Sequence, residues 1–315
     1  MAVIALDLGG TKLAAALFEK DGGVSFRMTV SIKRKKGNKV GRLIIETASV
    51  ILQKAQNKKI KVTAIGICVP GIAHAASGTV WAPNIAGWED YPLKAELEKV
   101  FKKKNITVNI DSDRACYILG ETWHAKEKLS DVIFLSVGTG IGAGILINGK
   151  VLRGSNDIAG AIGWMSLSKP FDKKYIPCGD FEYHASGEGL VKVAKELLLQ
   201  KKYQSSVLNR DQPDSLTAKD IFLAYERNDK LAKIVLQQAI AYWGMAVANL
   251  VSLFNPQKVI FGGGVFGPAI KFIDMIYAEA LKWGQPISMK QVKLEAARLG
   301  ADAGLYGAAR MAMNA

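Results

Sequence analysis

Residues 4–18, IALDLGGTKLAAALF, place the tightest constraint on the fold. An apolar run breaks at Asp7, passes through Gly9, Gly10, Thr11 and Lys12, and becomes apolar again from Leu13 to Phe18. The Gly-Lys pair invites comparison with a P-loop, but that motif needs four residues between its first glycine and its Gly-Lys pair, and then a helix. Here the apolar residues continue toward Gly22-Gly23, so the pattern predicts strand, tight turn, strand. A carboxylate and two glycines in the middle of a core hairpin point to something that the hairpin holds.

Two later segments extend the pattern. Residues 135–150, LSVGTGIGAGILINGK, again read as strand, Gly-Thr-Gly turn and apolar strand. Glycine lets backbone amides approach an anion closely, and Thr139 adds a hydroxyl donor. Two such hairpins facing one another would hold a polyphosphate from both sides. Residues 259–267, VIFGGGVFG, put Gly262, Gly263 and Gly264 after a buried strand and just before a helix from Pro268. Gly-rich turns at strand ends are where nucleotides sit in open α/β sheets. Taken singly, each cluster also reads as an ordinary tight turn.

Further strands are expected at 64–69, 107–111, 132–137, 144–147 and 258–261, with 3–8 and 13–18 forming the first hairpin. Helical spacing of apolar residues predicts helices at 41–56, 91–103, 114–125, 188–200, 231–254, 268–282 and 301–313. Strand-rich stretches that open on a Gly-rich turn and are followed by helices make this an α/β protein with helix-covered sheets. With 315 residues, 49% hydrophobic, and no low-complexity tail, the chain fits one globular unit of about two lobes.

No apolar stretch approaches the roughly 20 residues that cross a bilayer. Met1 runs straight into the first strand without the basic region of a signal peptide. Cys68, Cys116 and Cys178 lie far apart and form no evident disulfide set, which suits a reducing cytoplasm. The net charge of +14 is spread over separate clusters at 33–36, 58–61, 102–104 and 201–202, which read as solvated faces. A basic surface favours anionic substrates such as a nucleotide. No helix-turn-helix or zinc-finger pattern stands out, so no nucleic-acid partner is expected, and no membrane partner.

The set LDLGGTK, LSVGTGIGAGILINGK and VIFGGGV resembles the ROK family of sugar kinases and sugar-responsive repressors, a branch of the actin-like ATPase and hexokinase superfamily. GICVPGI (66–72), APNIAGW (82–88), YILGE (117–121), EYHASG (182–187), LTAKDIFLAYERND (216–229) and GADAGLYGAA (300–309) agree with it in the same order. The resemblance implies two ribonuclease H-like lobes with ATP in the cleft between them. The first is expected at 1–112 plus 301–315, the second at 113–300. It also implies that Asp7 positions Mg2+ through water, while Gly9, Gly10, Thr11 and Lys12 line the phosphates. Thr139, Gly140 and Gly142 would meet the phosphates from the other lobe, and Gly262 to Gly264 would flank the adenosine. A capping carboxylate at a turn is the plainer reading of Asp7.

The family's catalytic base is the Asp of an Asn-Asp pair. In VNIDSDRACYILGE the matching residue is Asp113, with Ser112 where Asn is usual. A carboxylate within hydrogen-bond reach of a sugar hydroxyl accepts its proton as the phosphoryl group is transferred. Asp111 is the nearby competitor, and Asp113 also reads as the N-cap of the next helix. Gly71, Asn84 and Glu182 match positions near the sugar.

Elsewhere the pattern is broken. Family members carry Gly-Glu-Ile-Gly-His, whose Glu and His hold sugar hydroxyls and whose His also binds zinc. This chain has GAIGWM, with Ala161 and Trp164 in their places. The family's cysteine-rich zinc stretch is shortened to PCGDFE, which keeps Cys178 with Asp180 nearby. A closed zinc site needs four ligands, and a Cys-Asp-His cluster with His184 would be irregular, so no structural zinc is expected. Trp164 either offers an apolar face to a sugar ring or fills the space that zinc vacates.

Two function classes follow from the resemblance. One is an ATP-dependent kinase acting on a sugar, by analogy at the 6-hydroxyl of a hexose or N-acetylhexosamine. The other is a non-catalytic sugar-binding regulator or pseudokinase. Family repressors carry an N-terminal DNA-binding domain, for which the sequence before the first strand leaves no room. A homodimer is usual in the family.

Overall fold

The first hairpin forms as its sequence dictates. Strands β1 (Ala2–Leu8) and β2 (Lys12–Glu19) pair antiparallel with Leu8 opposite Leu13. The Gly9 N–H donates to the Lys12 carbonyl across the turn at 3.0 Å. The computed structural model describes residues 2–33, 35–123, 125, 127–209 and 215–314. Arg34, in the basic cluster at 33–36, and His124, in the helix expected at 114–125, lie outside the described residues.

The chain divides into two units. Unit 1 comprises Met1–Lys128, Val151–Ala159 and Arg298–Ala315. After the hairpin come β3 (Val24–Ser31), α1 (Asn38–Asn57), β4 (Val62–Val69), the short pair β5 (Ile72–Ala73) and β6 (Val80–Trp81), α2 (Leu93–Phe101), β7 (Thr107–Ser112) and α3 (Asp113–Trp123). Its sheet runs β3-β2-β1-β4-β7, with β1, β4 and β7 parallel.

β1 is buried on both faces, which is why it reads as a continuous apolar run rather than an alternation. Ile4, Leu6 and Leu8 join Ile44 and Ile51 of α1 and Leu97 and Phe101 of α2 in one core. Val3 and Ala5 face the other way, into a core built with Phe18, Ala64, Cys68 and the C-terminal helix. That helix packs at backbone contact distance: a Cβ on Gly66 would lie 1.9 Å from the Ala308 carbonyl oxygen, and one on Gly307 would lie 1.8 Å from that of Cys116.

Unit 2 comprises Leu129–Lys150 and Gly160–Ala297. It contains β8 (Val132–Val137), β9 (Ile141–Ile147), α4 (Asp180–Ala185), α5 (Gly187–Leu198), α6 (Ala218–Glu226), α7 (Lys230–Phe254), β11 (Lys258–Gly262), α8 (Ile273–Ala280), α9 (Pro286–Gln291) and β12 (Lys293–Ala296), and its edge strand β10 (Lys150–Val151) leads back to unit 1. The chain then returns to unit 1 as α10 (Ala303–Met313). The second sheet, β10-β9-β8-β11-β12, repeats the order of the first. Again the hairpin β8–β9 is antiparallel and the next two strands run parallel to β8. Each unit is thus a ribonuclease H-like lobe of the actin-like ATPase class.

The boundaries differ from those expected. The first segment of unit 1 ends at Lys128, not 112, because α3 packs on α10: a Cβ on Gly120 would lie 2.4 Å from the Ala303 carbonyl oxygen. The return begins at Arg298, not 301, because the N–H groups of Arg298 and Leu299 donate to the Glu121 carboxylate at 3.0 and 2.9 Å. α7 forms where a helix is expected, at 231–254, but it overturns the expectation that no apolar stretch approaches membrane-spanning length. This 25-residue helix is long and apolar enough to cross a membrane, although Gln237 and Gln238 interrupt the run. Leu231, Val235, Leu236, Trp243, Val247 and Val251 are fully buried in the core of unit 2 instead. The basic clusters, in their described residues, are exposed as expected.

Candidate active site

In unit 1 the site is built where β7 passes into α3. Ser112 is buried, and its Oγ accepts the Ala115 N–H at 3.4 Å, so Ser112 caps the helix rather than Asp113. Asp113 is the first helical residue, half-buried, and its Oδ1 accepts the Arg114 N–H at 2.7 Å. Burial pushes its carboxyl up to about 6 against the pull of the Arg114 charge and N–H, and the Asp7 carboxylate adds to the rise. Asp111 is occupied differently. It is buried, ion-paired with Arg153 Nη2, and accepts the Ser112 N–H at 2.8 Å. Burial raises its pKa while Arg153 opposes the rise.

Asp7 continues the odd-numbered face of β1, which looks toward α10. A Cβ on Gly304 would lie 2.7 Å from its carboxyl carbon, so the first turn of α10 presses on this carboxylate. Burial raises the Asp7 pKa, and the Cys68 thiol and Lys12 pull it back. Cys68 is its register partner across β1 and β4. Asp302 pairs through both oxygens with Arg27, which holds its pKa low. Neither Asp7 nor Asp113 has an ion-pair partner among the described residues. Mg2+ is normally held by one or two carboxylates, waters and substrate phosphates rather than by a protein cage. Asp7 fits that description, and no group of three or more His, Cys, Asp or Glu able to cage a metal occurs among the described residues.

Gly10, Thr11 and Lys12 are exposed at the tip of the first hairpin. Gly71 has φ +87°, and a Cβ there would strike the Trp81 carbonyl oxygen at 2.1 Å, so only glycine fits this turn. Asn84 is exposed in a loop closed by the Ala82 N–H donating to the Trp88 carbonyl at 2.8 Å.

In unit 2 the turn between β8 and β9 meets the start of α5: Gly187 N–H donates to the Gly138 carbonyl at 2.8 Å. Glu182 sits against the same turn. Its Oε2 accepts the Ile141 N–H at 2.6 Å, and a Cβ on Gly140 or Gly163 would come within 2.6 or 2.9 Å of that oxygen. Burial raises the Glu182 pKa, and the Ile141 N–H counters it. Gly142 lies on β9 opposite Ser136.

On the other side of the turn opens a cavity of about 1060 Å³, with Gly138, Thr139 and Gly264 in its wall. Gly262 and Gly263 support it without lining it: a Cβ on Gly262 would lie 2.2 Å from the Phe134 ring, and Gly263 (φ +88°) crosses the Val137 carbonyl. Sequence reasoning missed the apolar wall formed by Val191, Leu216, Phe222, Leu223, Val265 and Pro268. The Thr217–Asp220 capping box that starts α6 was its visible signal.

Residues of the shortened cysteine stretch are engaged with one another's neighbours. Asp180 is buried and accepts the N–H groups of Leu167 and Ser168, both at 2.8 Å, and the Ser168 hydroxyl at 2.9 Å. His184, one turn on, is also buried, with Nε2 3.0 Å from the Tyr175 hydroxyl and Nδ1 3.0 Å from the Gln238 amide. Desolvation lowers the His184 pKa although Asp180 opposes it. This network pins the face of α4 opposite Glu182. Cys178 is a buried free thiol whose Sγ contacts the Gly179 carbonyl at 3.7 Å. Trp164 does not fill a core: it is 58% exposed at the end of a short 3-10 turn, three residues after half-buried Ala161.

The ROK family model matches residues 3–315. A glucokinase of Halalkalibacterium halodurans is 30% identical over 314 residues, covering 96% of this chain and 92% of that protein. A xylose repressor of Caldicellulosiruptor bescii is 33% identical over 266 residues, covering 82% of this chain and 65% of the repressor. Among solved structures, a ROK family glucokinase from Streptomyces griseus in complex with glucose and AMPPNP superposes with a TM-score of 0.76 at 28% identity, over all of both chains.

Proposed function

The chain belongs to the ROK family, and from that premise we propose that it is an ATP-dependent sugar kinase with Asp113 as its general base. The observation that carries this reading is the state of Asp113. With its carboxyl pushed up to about 6, it is mostly ionised at neutral pH yet basic enough to take a proton. Asp111, tied to Arg153, is not free for that work. In the transfer, the sugar hydroxyl oxygen bonds to the γ-phosphorus as the bond to the bridging oxygen of ADP breaks, and the hydroxyl proton passes to Asp113. The acceptor on this reading is the 6-hydroxyl of a hexose or N-acetylhexosamine.

The cavity of unit 2 supports ATP as donor. Its apolar wall suits a purine, Thr139 and the Gly138 backbone stand at the phosphate end, and Lys192, Lys195 and Lys219 outnumber Glu188 and Glu226 around it. The Streptomyces griseus relative holds glucose and AMPPNP, which agrees with that pairing. Asp7 would hold Mg2+ through water, and the ion when bound would neutralise phosphate charge. Glu182, with Oε2 fixed by the Ile141 N–H, leaves Oε1 to accept a sugar hydroxyl. The activity belongs in the cytoplasm, where ATP is supplied.

A second reading, a sugar-binding regulator without turnover, is favoured by the similarity to the xylose repressor and by Ala161 in place of a carboxylate. A coupled ADP-release screen over hexoses, amino sugars and polyols separates the two. Sugar-dependent ADP release is expected; sugar binding without release on any member would leave the regulator.

A further inference from the structure

Helix α4 is six residues long, and Gly179 at its N-cap gives it no side-chain cap. A helix of fewer than two turns has no stability of its own, so its direction is set by what it is tied to. Two sets of ties reach it. The earlier segment 165–168 runs alongside: the Phe181 N–H donates to the Met165 carbonyl at 3.2 Å, and the Leu167 and Ser168 N–H groups donate to Asp180 Oδ2. From α7 come three more. The Tyr242 hydroxyl donates to Asp180 Oδ1 at 3.4 Å, the Gln238 amide meets His184 Nδ1, and the Trp243 indole N–H donates to the Ala185 carbonyl at 3.1 Å. Asp180 and His184 are four residues apart and share one face of the helix; Glu182, two residues from each, is on the other. There its Oε2 takes the Ile141 N–H, in a slot where a Cβ on Gly140 or Gly163 would already crowd that oxygen.

We propose that Asp180 is a positioning residue for the sugar site. Its carboxylate gathers the 167–168 backbone and α7 onto one face of α4, and so holds the opposite face, with Glu182, against the turn between β8 and β9. The sugar contact of Glu182 rests on the kinase reading; its placement by Asp180 does not. Both Asp180 oxygens are taken, by the Leu167 and Ser168 N–H groups and by the Ser168 and Tyr242 hydroxyls, so Asp180 acts through Glu182 rather than on a ligand. Removing it strands two N–H groups without their acceptor and frees 165–168 from the helix. An amide at the same position keeps an oxygen for both N–H groups, and its NH2 finds the Ser168 and Tyr242 hydroxyl oxygens as acceptors.

The Ile141 N–H reads the placement of Glu182 without any ligand, since Glu182 Oε2 is its acceptor. Amide exchange is followed by NMR in the parent, Asp180→Ala, Asp180→Asn and Glu182→Ala. Asp180→Ala is expected to speed exchange at Ile141 about tenfold or more, as Glu182→Ala does, while the β9 amides paired with β8 keep the parent rate. Asp180→Asn should stay near the parent at Ile141. In turnover on glucose and N-acetylglucosamine, Asp180→Ala should raise KM for the sugar about tenfold, the worth of one oriented hydrogen bond. KM for ATP should stay within twofold, because the ATP cavity lies across the turn. Combined with Glu182→Ala, Asp180→Ala should add no further loss. If Asp180→Ala does not fold, His184→Ala, which releases the same helix from α7, carries the same expectations. Unchanged exchange at Ile141, an equal rise along all of β9, or additive losses overturns the proposal. A parent that turns over no sugar refutes the kinase reading instead, and Ile141 exchange still decides the role of Asp180.

Discussion

Asp113 lets one substitution test catalysis and stability together. In the unfolded chain its carboxyl titrates near 3.8; in the folded protein it is pushed up to about 6. Below pH 3.8 both states are protonated and the residue costs nothing. Between 3.8 and 6 the unfolded chain releases the proton while the folded protein keeps it, so stability falls as pH rises. Above 6 the cost is complete, at about 2 pH units times 1.4, or about 3 kcal/mol. Asp113→Asn removes the charge and keeps an oxygen to accept the Arg114 N–H. It is expected to be more stable than the parent by up to about 3 kcal/mol at pH 8, and no more stable near pH 4. Its kcat should fall about 10²-fold or more while sugar affinity stays within a few-fold. In the parent, kcat/KM should decline as pH falls through about 6. Urea midpoints at the two pH values and steady-state kinetics read all of this. A variant no more stable at pH 8, a gain independent of pH, or turnover near the parent rate would sink the reasoning.

Protein purified without added zinc is expected to contain well below one equivalent of the metal, and strong chelators to leave its Tm unchanged; stoichiometric zinc would refute the reading of PCGDFE. Gly307→Ala should destabilise unit 1 by about 1–3 kcal/mol or more, since its Cβ would fall 1.8 Å from the Cys116 carbonyl oxygen and neither backbone yields cheaply. Gly10→Ala, where nothing lies within 4 Å, should stay within about 0.5 kcal/mol, and an equal loss at both positions would argue against close packing as the cause.

What the sequence discloses depends on how local each determinant is. β8 takes the bounds its apolar run predicts, 132–137, because it is buried on both sides and flanked by Asp131 and Gly138. β9 starts three residues earlier than expected, since Gly142 and Gly144 dilute its strand signal. β3 was missed: Val24–Ser31 is an edge strand with alternating exposed residues, Arg27 among them, and looks like a loop in a scan for apolar runs. The motif placed Asp113 but could not show that Arg153, 42 residues away, removes Asp111 from competition. Trp164 was left between a core and an open position, and its neighbours decided the matter. Gly163 and Gly179 are held against backbone and the Glu182 carboxylate, and Trp164 is left 58% exposed.

The helix α10 has a consequence for the order in which the chain is made. Leu305, Ala308, Ala309 and Ala312 cover one face of the first sheet, over Val3, Ala5, Phe18 and Ala64. Every residue of unit 2 lies between that sheet and its cover in the sequence. A growing chain therefore holds all the residues of the second core before it can seal the first. The earliest strand to leave the ribosome waits longest for its partner, with an apolar face open throughout that interval.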